Sequence, residues 1–180
     1  MENGYYMLFK KNLIWIVFGV ILISSFGGCS KTKEEQNKQI VNEVYEKGIN
    51  AHNIAYLDSI LADNYTRHSQ SSPPGMQEIK SKEIFLKFAK MHLKSFPDWN
   101  EKIKFMVAEG DKVAFLTIGT GTNTGKIGEL PPTGKSVIVQ NLTVHRIDEN
   151  NHIAETWILW DNVAFLSQLG LYPTLSSENK

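Results

Sequence analysis

Cysteine is close to absent from this sequence: Cys29 is the only one in 180 residues. A single thiol excludes any disulfide within the chain. The five histidines, His52, His68, His92, His145 and His152, show no zinc-like spacing among themselves or with Cys29, so no metal site is expected. Charge of one sign is not in excess either. Nineteen Lys and Arg balance nineteen Asp and Glu, and the formal net charge is zero. With no basic run and no aromatic residues interleaved with basic ones, nucleic acid is not an expected partner. There is no internal repeat, no low-complexity segment and no G-x-S-x-G nucleophile elbow. Thr133-Gly134-Lys135-Ser136 looks like the end of a phosphate loop. However, Glu129 stands where the first glycine would be needed, and the segment leads into a strand instead of a helix.

Long hydrophobic runs are also missing. The apolar stretch LIWIVFGVILISSF, 13–26, is too short for a comfortable membrane span of about 20 residues. Lys10 and Lys11 precede it and Gly27-Gly28-Cys29 follow. A basic region, a short apolar region and a small-residue cleavage site describe a secretory signal. Phe26-Gly27-Gly28-Cys29 resembles a bacterial lipobox, with Phe26 where leucine is usual. That resemblance implies cleavage before Cys29 and lipidation of Cys29. Ser30 in the next position implies the outer membrane if the source is Gram-negative. The expected organisation is a signal peptide at 1–28, a lipidated cysteine and polar flexible tether at 29–38, one domain at 39–173 and a disordered tail at 174–180. The chain is therefore expected to be exported and held at the cell envelope by an N-terminal lipid.

Within the domain the first half has helical periodicity. Ile40, Val41, Val44, Tyr45 and Ile49 predict a helix over 37–52, and Tyr56, Leu57, Ile60 and Leu61 a shorter one up to Asp63. Ser71 to Gly75 is a loop. Ile79, Ile84, Phe85, Phe88, Met91 and Phe96 form the apolar stripe of a third helix, which Pro97 ends. The second half has strand periodicity. Strands at 102–108 and 113–119 flank a turn at 109–112; a Gly- and Pro-rich loop covers 120–134; strands at 137–147 and 153–161 and a short helix at 163–169 follow. Three helices followed by hairpin-linked strands predict an α+β fold: N-terminal helices packed on a curved antiparallel sheet, a cone that encloses a pocket.

The last strand raises a question of its own. In ETWILWDN, 155–162, alternation puts Glu155, Trp157, Leu159 and Asp161 on one face and Thr156, Ile158 and Trp160 on the other. Both faces are largely apolar, which predicts a strand covered on both sides. Glu155 and Asp161 are about 20 Å apart along a regular strand, too far for a catalytic carboxylate pair. Asp161 reads equally as the N-cap of the following helix and as a pocket acid.

The motifs together resemble the SnoaL-like polyketide cyclase (ester cyclase) family of the NTF2-like superfamily. They are Phe96-Pro97-Asp98-Trp99, the hairpin Ala108 to Ala114, GTNTG at 121–125, PPTGK at 131–135, Glu155-Thr156-Trp157 running on to Trp160-Asp161, and Gln168-Leu169-Gly170. The family implies an NTF2-like cone and, in its studied cyclases, cofactor-free acid/base chemistry by an aspartate on the last strand. Here that position is Asp161, whose carboxyl a buried apolar pocket would push up towards a useful range. His68 matches a histidine at the pocket mouth. Trp157, Trp99, Leu159 and Asn123 are then the expected substrate-binding residues. Asn123 stands where many relatives have histidine, and it cannot shuttle protons. Glu155 reads as structural, a partner for Arg146 or Lys135. Two functions follow: a cyclase-, isomerase- or hydrolase-type enzyme acting without cofactor on a small, partly apolar molecule, or a lipoprotein that binds such a molecule without chemistry. The oligomeric state stays open, although the exposed sheet face of this fold often pairs into homodimers.

Overall fold

The computed structural model describes residues 31–172. The expected signal, Cys29 and the tail lie outside the described residues. Helix α1, Lys33–Glu43, starts at a capping box. Thr32 Oγ1 accepts from the Glu35 amide at 3.2 Å, and Glu35 Oε2 accepts from the Thr32 amide at 3.0 Å. Residues 33–38 therefore belong to a helix, although their polarity predicts a tether. The reason is local: a complete cap and two acids in the first turn support a helix that polar composition alone does not announce. The chain continues without a break through a π-helical segment, Val44–Ile49.

Helix α2, Ile54–Ile60, is capped by Asn53, whose Oδ1 accepts from the Tyr56 amide at 3.0 Å. It ends earlier than its apolar spacing predicts, because Leu61 turns extended (φ −87°, ψ 137°) and opens strand β1, Leu61–His68. This strand is absent from the sequence reading. Its inward positions include Arg67, so the apolar alternation that would reveal it is broken by a charge. After the two-residue strand β2, Glu78–Ile79, comes helix α3, Lys82–Ser95, with Ser81 as its cap. Strands β3, Asn100–Glu109, and β4, Lys112–Thr122, form a hairpin that turns at Gly110 (φ +56°). Strands β5, Ser136–Ile147, and β6, Ile153–Trp160, form the next hairpin, and helix α4, Asn162–Leu169, closes the domain.

The sheet runs β2-β1-β6-β5-β4-β3. It is curved and does not close on itself. All pairings are antiparallel except β1 with β6, which are parallel with Arg67 opposite Thr156 and His68 opposite Trp157. The helices cover only one face. At one end the cone is packed solid by Val41, Val44, Tyr45, Leu57, Leu61, Tyr65, Val113, Phe115, Ile147 and Ile153. A second cluster, Phe96, Trp99, Val137, Val139 and Leu169, holds the other end.

Several of the family motifs explain themselves as contacts at that second end. Trp99 lies flat over β4 because Gly119 and Gly121 offer no side chain there. A Cβ at Gly121 would stand 2.7 Å from the indole, and one at Gly119 2.5 Å. Asp98 accepts from the Thr122 amide at 2.6 Å. Gln168 donates to the Ile138 carbonyl at 3.1 Å and accepts its amide at 2.8 Å, so a side-chain amide continues the ladder on β5 past the end of β6. Gly170 (φ +72°) ends α4, with the Leu171 amide returning to the Leu166 carbonyl at 2.9 Å.

Candidate functional site

Between the two clusters the cone is not filled. A cavity of about 360 Å³ opens between α3, α4 and the inner sheet face, within the range of small-molecule sites. Its walls are mostly apolar: Ile49, Phe85, Phe88, Met91, Phe96, Trp99, Val139, Ile158, Trp160 and Phe165. A few polar side chains reach it, notably Arg67, His92, Glu101 and Asn141.

Glu101 stands at the start of β3. Asn50 grips its backbone from both sides, with Nδ2 donating to the Glu101 carbonyl at 2.8 Å and Oδ1 accepting its amide at 2.7 Å. Three donors hold its carboxyl: the Trp99 indole N–H on Oε1 at 3.0 Å, and Thr117 Oγ1 and Asn141 Nδ2 on Oε2 at 2.7 Å and 3.1 Å. Burial raises the Glu101 pKa, and these three hydrogen bonds work against the rise. A carboxyl in this position is fixed, in contact with the cavity and a better base than an exposed glutamate.

His92 sits one helical turn from Phe88 and from Phe96 on the cavity side of α3. Its ring meets Trp99 edge-on at 4.6 Å and Phe96 at 5.2 Å. Burial, with the Arg67 and His52 charges adding to it, pushes its pKa down to about 4. The imidazole is therefore neutral at pH 7 and can offer an N–H without carrying charge.

Arg67 enters from β1. Its guanidinium lies over the rings of Phe88 and Trp160, 5.3 Å and 5.7 Å from their centres, and Nη1 donates to Ser72 Oγ at 3.2 Å. Ser71 fixes this rim, its Oγ accepting from the Trp160 amide at 2.9 Å and donating to the Trp160 carbonyl at 2.6 Å.

Of the residues expected from sequence, Trp99 lines the cavity. The others do not. The face grouping on β6 holds, but its direction is the reverse of the expectation. Ile158 and Trp160 point into the cavity, whereas Glu155, Trp157 and Leu159 lie on the uncovered face, where Leu159 is 49% exposed. His68 is on that outer face too. Its Nε2 is 2.7 Å from Glu155 Oε1, its ring stacks on Trp157 at 5.3 Å, and Arg146 Nε completes the cluster on Glu155 Oε2 at 3.0 Å. Asp161 is exposed and caps α4, with Oδ1 accepting from the Ala164 amide at 2.8 Å. Asn123 is fully buried and spent on loop architecture. Its Nδ2 donates to the Ser95 and Gly125 carbonyls at 3.2 Å and 2.8 Å, and its Oδ1 accepts from the Thr133 amide and hydroxyl at 2.8 Å and 3.0 Å.

Two of the functional side chains left a signal in the sequence. His92 falls four residues from both Phe88 and Phe96, on the apolar stripe of its helix, and Glu101 shares a strand face with Ile103. A polar group at an apolar register position marks either a satisfied core residue or a site. Arg67 left none, because its strand was hidden.

An α+β cone with a polar-spotted apolar cavity is the architecture of the NTF2-like superfamily. The sequence profile of the SnoaL-like polyketide cyclase family matches residues 39–169, and this chain belongs to that family. Solved structures agree on the fold. A protein of Jannaschia sp. CCS1 assigned as a SnoaL-like polyketide cyclase superposes with a TM-score of 0.70 at 20% identity, covering 81% of this chain and 100% of that one. AclR of Streptomyces galilaeus, assigned as a hydroxylase, gives 0.69 at 22% identity over 81% and 91%. IdmH of Streptomyces antibioticus, assigned as a polyketide cyclase, gives 0.64 at 26% identity over 75% and 99%. Among curated proteins no sequence matches this one.

Proposed function

We propose that this chain is an exported, lipid-anchored member of the family that binds a small, partly apolar molecule in the cone and performs acid/base chemistry on it without a cofactor. The observation that carries the reading is Glu101, a carboxyl held by three donors in a mostly apolar cavity that also holds a neutral His92. In this reading Glu101 takes a proton from carbon next to a substrate carbonyl. The His92 N–H donates to the carbonyl oxygen as it becomes an enolate. Glu101 then returns the proton at a new position, or the enolate carbon attacks a second carbonyl of the same molecule, opening its C=O π bond, and Glu101 gives the proton to the resulting alkoxide. Trp99 orients Glu101 and forms one wall.

The aspartate role implied for Asp161 is the second reading. It is favoured by the position of Asp161 between two cavity-lining residues, Trp160 and Asn162. Cys29 is the proposed lipid acceptor, supported by the apolar stretch at 13–26 and the small residues before the cysteine. A homodimer through the uncovered sheet face is supported by Phe105, Val107, Ile138, Leu142 and Leu159, all exposed there.

The test is solvent deuterium uptake by small ketones and β-keto esters, followed by NMR with the full-length protein in detergent micelles. Uptake that Glu101→Gln abolishes and Asp161→Asn leaves intact supports the first reading, and the opposite pattern supports the second. Binding of the same compounds with no uptake by any of them leaves a ligand-binding lipoprotein. Radiolabelled fatty acid should enter the wild type and not Cys29→Ser.

A further inference from the structure

We propose that the ligand of this cavity is an anion, a small apolar molecule bearing a carboxylate, and that Arg67 receives it. The inference rests on the cone being a ligand site and adds the chemical class of the ligand. Arg67 is 4% exposed, and a guanidinium stays charged at any accessible pH. Such a cation in a core is ordinarily paired with a carboxylate, because an unpaired buried charge is costly. Among the described residues no carboxylate pairs with it.

The carboxylate in the same cavity and the one on the adjacent strand β6 are committed elsewhere. Glu101, in the same cavity, spends both oxygens on Trp99, Thr117 and Asn141. Glu155, one strand over, faces the other side of the sheet and pairs with Arg146 and His68. What Arg67 has is one hydrogen bond, to Ser72 Oγ, and the faces of Phe88 and Trp160. Among the described residues only one of its five N–H groups is used. The rings support the charge without occupying those donors.

Arg67, Ser72, Phe88 and Trp160 all line the cavity. Arg67 therefore brings a forked donor, lying over two aromatic rings, to an apolar space that a small molecule can enter. That is the geometry for bidentate pairing with a carboxylate. The Arg67 charge also reaches His92 and helps to hold its imidazole neutral, so an anion seated on Arg67 would sit within the electrostatic reach of the proposed chemistry.

The experiment compares 2-naphthylacetate with its primary amide, a neutral molecule of nearly the same shape. Binding is read by isothermal titration calorimetry and by fluorescence of the full-length protein in detergent. The carboxylate should bind wild type at least tenfold more tightly than the amide. Arg67→Met, which keeps the volume and removes the charge, should bring the two together. Equal binding of carboxylate and amide to wild type overturns the anion inference and leaves the pocket reading standing, whatever the fate of the Arg67→Met fold. A tenfold preference that survives Arg67→Met places the anion elsewhere and also overturns it. Failure of both probes to bind overturns the inference together with the ligand-site reading it depends on.

Discussion

Replacing Glu101 with glutamine tests the electrostatics of the cavity independently of any substrate. The two side chains have the same shape, and the structure says which hydrogen bond must go. If the amide oxygen takes the place of Oε2 it keeps Thr117 and Asn141. The NH₂ then faces the Trp99 indole N–H, and two donors oppose each other. One buried donor loses its partner, a cost of about 1–3 kcal/mol. Against this stands the removal of a carboxylate from an apolar site, a relief whose size depends on pH. The folded-state pKa of Glu101 is raised, with burial as the leading cause. A raised carboxyl favours the native state below its unfolded pKa, and that contribution is lost as pH rises through the folded value. Glutamine does not titrate. The variant should therefore be least stable relative to wild type near pH 4, and the gap should narrow towards pH 8. Thermal melts of both proteins across that range, taken as a difference, cancel the titrations they share. A gap that stays constant or widens with pH would refute the claim that burial governs this carboxyl.

Other consequences are more local. Gly125→Ala would place a Cβ 2.0 Å from the Lys94 carbonyl oxygen, which is backbone and cannot swing away. It should cost at least about 2 kcal/mol in denaturant melts. Asp161→Ala should cost about 1 kcal/mol by losing the α4 cap, and Asp161→Asn only a few tenths, because asparagine caps as well. His145, buried and hydrogen-bonded to Thr156 Oγ1 at 2.9 Å, has its pKa pushed down to about 3 by burial, and His92 to about 4. Depressed histidines stabilise the fold above their unfolded pKa of about 6.5 and lose that contribution as pH falls. Stability should therefore decline from about pH 6.5 to pH 3, and His145→Gln should flatten that decline in pH-dependent melts.

The fold was legible where periodicity was uninterrupted. Strands β3 to β6 are close to their predicted limits, and helix α3 ends before Pro97 as predicted but starts at Lys82, with Ile79 in strand β2 instead of on its stripe. Strand β1 was not, because Arg67 occupies an inward position and the run Asp63-Asn64 before it looks like a turn. On β6 the grouping of side chains was readable and its direction was not. Alternation fixes which residues share a face, but only the helices decide which face is inside, and both faces of β6 are apolar. The outer face keeps Trp157 and Leu159 without a helix over them. Asp161 was read with its cap and pocket roles open, and its carboxyl is found on the Ala164 amide. Conversely, Glu155 was read as a partner for Arg146 or Lys135, and the Arg146 pair is present at 3.0 Å. The cavity polar groups were hard to see for a physical reason: Glu101 and Arg67 act through long-range neighbours, Thr117, Asn141 and Trp160, which no short motif brings together.

The central claim is that small molecules enter on the helix side of β6 and not on its outer face. The most direct measurement is the ¹⁵N-indole NMR spectrum during titration with 2-naphthylacetate and its amide, with the tryptophan signals assigned by single Trp→Phe variants. The account predicts that the Trp99 and Trp160 signals shift and broaden with at least one of the two while Trp157, stacked on His68 outside the cone, stays in place. Movement of Trp157 with Trp99 and Trp160 unmoved would contradict it and return the site to the face that carries His68 and Glu155.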